Sequence, residues 1–309
     1  GIENEQFGEY RMLLSAWAQV DPLQALSYAK EKTGTNFARQ TILSAWAKND
    51  TEGAVAWARD NFDSDAKGAD ANPWIVGVIE GISSIDLVRA TELLEELPFS
   101  RGRGQALDSV FAEVTSGGPE NAKQWIASLS DAKLKSGAAS RLAGQLARND
   151  PRAAAEWASS MGSEILKSSA GEIIQEWADD DLTAARTWIE SQSEEIVASA
   201  GPALVREIIQ NEDILAASDW LADYEGNPAF DESVRSLVWN SMGEEPAFAA
   251  DWIMRLSSED DQRNTFHRMI GKWMSKDEAG VVDYVNNNPV PEGVKQRVEM
   301  TLKRSQNQK

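Results

Sequence analysis

Cysteine is absent from this 309-residue sequence, and histidine occurs once, at His267. The first absence removes disulfides, thiolate nucleophiles and every cysteine-bearing metal site. The second removes any site in which two histidines of one chain hold a metal. No run of roughly 18 apolar residues occurs, so no segment reads as a bilayer-spanning helix. No basic-then-apolar stretch of signal-peptide type opens the sequence. Basic residues are scarce beside acidic ones, 30 Lys and Arg against 50 Asp and Glu, for a formal charge of −20. A surface that negative repels phosphate backbones and anionic lipid, which argues against nucleic acid and membrane surfaces as partners. Missing thiols suit an oxidising compartment, so an extracytoplasmic setting (periplasm or cell surface) is expected ahead of the cytoplasm.

What is present is tryptophan, 12 of them, and most fall into register. Trp17-Ala18-Gln19-Val20-Asp21-Pro22 is followed by Ala25 and Tyr28, and Trp46-Ala47-Lys48-Asn49-Asp50 by Ala54 and Trp57. The pattern returns as Leu146 to Pro151 with Ala154 and Trp157, and as Trp177 to Asp181 with Ala185 and Trp188. Fainter copies lead to Trp125, Trp220, Trp252 and Tyr284, and the stretch from Ser83 to Leu94 is the most degenerate. The closing positions 28, 57, 94, 125, 157, 188, 220, 252 and 284 settle into steps of 31 or 32 residues from the third onward. The longer step before residue 94 contains a Gly- and Asp-rich stretch, Asp60 to Pro73, that reads as an inserted loop.

Each unit reads as two helices. Four residues before the first anchor stands an aliphatic residue: Leu13, Ile42, Ile79, Val110, Leu142, Ile173, Val205, Leu237 and Met269. An i, i+4 pair shares one helical face, so this column predicts the buried stripe of the first helix. The acids Asp21, Asp50, Asp150, Asp181, Asp213, Glu245 and Asp277 stand where a side chain caps the second helix, and Pro is tolerated at the next position. The Ala column predicts close helix approach, and the aromatic three residues later fills the hairpin core. The expected fold is therefore all-α, an α/α superhelix of about nine hairpins plus a C-terminal capping helix. As one repeat domain over 1–309, its hairpins fall at about 3–33, 34–62, 74–98, 103–130, 135–161, 166–192, 197–224, 231–257 and 262–288, with the cap at about 292–305.

The motif Trp-Ala-x-x-Asp-Pro-x-x-Ala-x-x-Trp resembles that of bacterial tandem α-hairpin repeat proteins, over nearly the whole chain. It is more distantly similar to tetratricopeptide-class α-solenoids, whose first helix orders its Trp, Leu-Gly and Tyr differently. The resemblance implies a non-catalytic scaffold for a protein or peptide. Two alternatives are an enzyme of the α/α-toroid type and a structural spacer in an extracytoplasmic assembly. No residue is assigned a catalytic, cofactor-binding or metal-ligating role. The runs Asp179-Asp180-Asp181 and Glu259-Asp260-Asp261 lack the alternating spacing of a calcium loop and read as turn acids.

The most informative signal is departure from the repeat. Two residues before the first anchor the column reads Ser15, Ser44, Gly81, Ala112, Gly144, Gln175, Glu207, Trp239 and Gly271, and it is expected at the rim of the first helix. Trp239 is bulky where its equivalents are small or polar. With Arg235, His267, Arg268 and Lys272 it forms a candidate partner-binding patch, because Trp and Arg anchor binding hot spots. The alternative is an inward slip in which Trp239 replaces the Trp missing at Ser241.

Overall fold

The computed structural model describes residues 4–32, 36–62 and 71–306. These are all-α: 82% helical, with 18 helices and no strand among the described residues. The chain divides into two compact units, 1–142 and 143–309, and each is described by itself.

Unit 1 contains α1 (Asn4–Val20), α2 (Pro22–Lys32), α3 (Asn36–Ala47), α4 (Thr51–Asp60), α5 (Pro73–Ile82), α6 (Leu87–Glu96), α7 (Arg101–Ser116) and α8 (Pro119–Ser128). The boundary between the units runs through α9 (Ala132–Ala147). Unit 2 continues with α10 (Pro151–Ser160), α11 (Ser163–Glu190), α12 (Glu194–Asn211), α13 (Ile214–Ala222), α14 (Asp231–Ser241), α15 (Pro246–Ile253), α16 (Glu259–Lys276), α17 (Glu278–Asn287) and α18 (Val294–Gln306). Within unit 1 the first helix of each hairpin packs on the first helix of the next, α1 on α3, α3 on α5 and α5 on α7. In unit 2, α11 packs on α12 and α12 on α14, while α14 reaches α16 through α15 and through side-chain bridges. The loop expected at Asp60 to Pro73 falls largely on residues 63–70, outside the described set.

The capping acids explain why hairpins form where they do. Asp50, Asp86, Asp150 and Asp277 share an extended backbone that points the carboxylate back at the new helix. Gly53 N–H donates to Asp50 Oδ1 at 2.9 Å, and Ala153 N–H to Asp150 Oδ1 at 3.0 Å. Asp21, Asp181, Asp213 and Asp277 accept in the same way, which satisfies one orphan amide per helix. Asp181 does so inside α11, where φ −154° and ψ 83° break an apparently continuous helix into the two arms of a hairpin. Asp86, hidden in the degenerate stretch, caps α6 through Arg89 N–H at 2.9 Å. Glu245 does not fulfil the capping role expected of it: its side chain makes no cap bond. One extra methylene carries the carboxylate past the amide that an Asp reaches.

Burial follows the alanine and first-helix columns, but the closing aromatics fill the core only in part: Tyr28 is 39% exposed and Trp57, Trp157 and Trp188 are half-buried, whereas Leu94, Trp125, Trp220, Trp252 and Tyr284 are buried. Ala25, Ala54, Ala122, Ala154, Ala185, Ala217 and Ala249 are each 0% exposed, as is Ala90 at the equivalent place in the degenerate unit. Ile42, Ile79, Val110, Ile173, Val205, Leu237 and Met269 are fully buried, each contributing roughly 1.5–3 kcal/mol. Leu13 departs from the expected stripe and is 69% exposed. Its counterparts in α3 and α5 lie between first helices on both sides, whereas α1 packs against such a neighbour on one side only among the described residues. Residue 9 shows the same change. Ala38, Ala106, Ala138, Ser169 and Ser233, which share its column, are buried, whereas Glu9 is exposed.

Candidate functional site

The expected patch lies on α14 and α16. Trp239 is 38% exposed, and Ser241 keeps the inward anchor position at 1% exposure. The Ser241 hydroxyl donates to Leu237 O at 2.8 Å. Trp239 has therefore not slipped inward: a serine can close the anchor position by bonding back into its own helix.

Its basic companions are less cationic than their number suggests. The Arg235 guanidinium is held by Glu232, at 2.8 and 3.2 Å, and lies 3.7 Å from Asp261. His267 is half-buried with Nε2 enclosed and unbonded. Burial, followed by the charges of Arg297 and Arg263, pushes its pKa down, so the ring is neutral at pH 7. Arg268 and Lys272 are exposed, four residues apart on α16. Some acids of the two runs are engaged locally, while Asp179 stands exposed. Asp181 caps, Asp260 pairs with Arg263, and Asp261 N–H bonds the Ser258 hydroxyl at 3.4 Å. Among the described residues no group of three or more His, Asp or Glu is placed to share a metal ion, and no helix is long and apolar enough to cross a membrane.

Comparison with family models, with curated proteins and with solved structures finds no match. The functional reading therefore comes from the chain's own geometry.

Unit 1 contains a cleft of about 570 Å³ along the first helices. α1 supplies Arg11, Ser15 and Gln19 at four-residue spacing, α3 supplies Phe37, Gln40, Thr41 and Ser44, and Lys48 follows α3. Glu80 of α5 and Ser109 of α7 complete the wall. α3 and α5, which both line it, cross closely. A Cβ on Gly77 would stand 2.9 Å from the Gln40 backbone, and one on Gly81 only 2.2 Å from the Ser44 carbonyl oxygen. Glu80 lines the cleft in a column occupied elsewhere by Leu14, Leu43, Phe111 and Ile174, and by the exposed Arg206. Glu80 is exposed, yet partial desolvation by the surrounding protein raises its carboxyl above its ordinary value, and the Arg11 charge partly opposes the rise.

The column containing Trp239 does not lie uniformly at a rim. Ala112, Gln175, Trp239 and Gly271 are exposed as expected, whereas Gly81, Gly144 and Glu207 are buried. The glycines are buried because first helices approach closely there. Glu207 is a charged side chain at 4% exposure. Desolvation first, and then the charge of Asp179, raise its carboxyl above the ordinary range, partly opposed by the Arg206 charge. Sequence reasoning placed Glu207 in this column but treated it as a rim residue. The signal available was a charge in a column otherwise dominated by small residues.

Proposed function

We propose that the chain is a non-catalytic scaffold of the α-solenoid kind, holding a protein or peptide partner on the faces of its first helices. The observation that carries this reading is the unit 1 cleft, whose volume and lining suit an extended peptide segment. Hydroxyl and amide groups from Ser15, Ser44, Thr41 and Gln40 offer hydrogen bonds, Phe37 offers an apolar wall, and Arg11 and Lys48 offer charge. Glu80 is the one carboxylate in that lining. The set is suited to binding rather than to the paired-acid chemistry of a hydrolase.

The test is selection from a displayed random-peptide library on the intact protein, followed by affinity measurement with Ser15→Trp, which fills the cleft from α1. Wild type should enrich peptides that Ser15→Trp binds at least about tenfold more weakly, with the helical circular dichroism signal unchanged. Failure to enrich any peptide, or equal binding by both proteins, would overturn the reading at this cleft.

A further inference from the structure

Contacts in unit 2 define how the first helices are aligned. The Ser199 hydroxyl donates to Lys167 O at 3.0 Å, a Cβ on Gly171 would stand 3.7 Å from the Ala203 Cβ, and one on Gly201 would stand 2.2 Å from the Ser233 hydroxyl oxygen. Each contact pairs a residue with the one 32 positions later. One helical turn beyond Gly171 and Ala203, the same alignment sets Gln175 of α11, Glu207 of α12 and Trp239 of α14 in one line across three packed helices.

Glu207 in the middle of that line is 4% exposed, and its side chain has no hydrogen bond or ion pair among the described residues. Its carboxylate oxygens are not among the fully enclosed unbonded atoms, so they keep a narrow opening to solvent, and only the Arg206 charge opposes the cost of burial. A cation or strong hydrogen-bond donor arriving through that opening would relieve it. The alignment puts Trp239, a ring left partly open to solvent, on one side of Glu207; the exposed carboxylate of Asp179, one turn beyond Gln175, acts on Glu207 through its charge. An aromatic face beside carboxylates recognises the planar or ammonium head of a long basic side chain. A formal charge of −20 draws basic partners toward the chain.

We infer that Glu207, Trp239 and Asp179 form a subsite for an arginine or lysine side chain of a basic peptide partner. The inference builds on the scaffold reading and names the chemistry of one contact. It takes Trp239 from the expected patch and sets it beside carboxylates.

The test is fluorescence anisotropy of a labelled oligoarginine peptide, with an oligoglutamate peptide as control, titrated with the full chain at low salt. Glu207→Gln and Trp239→Ala are compared with Glu259→Gln, which makes the same charge change at an exposed acid. Wild type and Glu259→Gln should bind oligoarginine alike, and the other two variants about tenfold more weakly. Glu207→Gln removes a buried charge and should melt no lower than wild type, so its loss of binding cannot be ascribed to unfolding. Equal binding by Glu207→Gln and Glu259→Gln, or no binding of oligoarginine by wild type, would sink the subsite. Neither outcome touches the peptide selection on the unit 1 cleft, which judges the scaffold reading separately.

Discussion

At the residue scale, the seven capping aspartates share one bond and so should share one energy. Asp150→Ala removes the acceptor for Ala153 N–H and should cost about 1 kcal/mol. Glu245→Ala removes no cap bond and should leave the urea midpoint within experimental error. Similar losses for both would mean that the carboxylate acts through helix-dipole charge rather than through the hydrogen bond. Glu207 gives a prediction in pH. Its folded carboxyl keeps its proton to higher pH than the ordinary value of 4.5. Its contribution to stability is therefore complete below that value and is lost as pH rises through the folded pKa. Glu207→Gln holds the neutral form throughout. It should stabilise the protein by roughly 1 kcal/mol at neutral pH, with the gain fading toward pH 4. Thermal melts across that range would show it, and a gain independent of pH would contradict it.

At the element scale, α3 and α5 both line the cleft and cross closely, and glycine permits that crossing. Gly81→Ala puts a methyl group 2.2 Å from a backbone oxygen that cannot rotate away, and should cost 2 kcal/mol or more, roughly the upper range of overpacking. Gly271→Ala, in the same column of α16, meets nothing within 4 Å and should stabilise by about 0.5–1 kcal/mol. Denaturant titration of the two variants measures the difference directly. Equal effects would mean that the close crossing is not maintained in solution. The sequence could not separate these two glycines, because column position says which turn of the helix a residue occupies and not how closely the neighbouring helix approaches.

At the scale of the whole molecule, packing in each unit runs between successive hairpins, so stability should be divisible. Deleting one complete repeat, Lys167 to Ala198, removes 32 residues and rejoins equivalent positions. The shortened chain should keep the same helical circular dichroism per residue and unfold at lower denaturant, in proportion to the interface lost. Complete loss of helix would show a single indivisible core and would end the repeat reading.

The sequence alone determined that this chain is all-α, where most second helices are capped, and that the alanine and most first-helix aliphatic columns are buried. Those features depend on local chemistry, namely the 3.6-residue periodicity, the reach of an aspartate to an amide three residues on, and the tolerance for Pro after a cap. The same regularity located Asp21, Asp50, Asp150, Asp181, Asp213 and Asp277 correctly. It also misassigned Glu245, because the difference between Asp and Glu there is one of reach in three dimensions. Only the tertiary structure decided that Leu13 lies open, that Arg235 is paired with acids from two helices, and that Glu207 is buried while Trp239 faces solvent. Each of these depends on what a neighbouring helix places opposite a residue. That is set by crossing distance and register between elements far apart in the chain, to which a column of equivalent positions is blind.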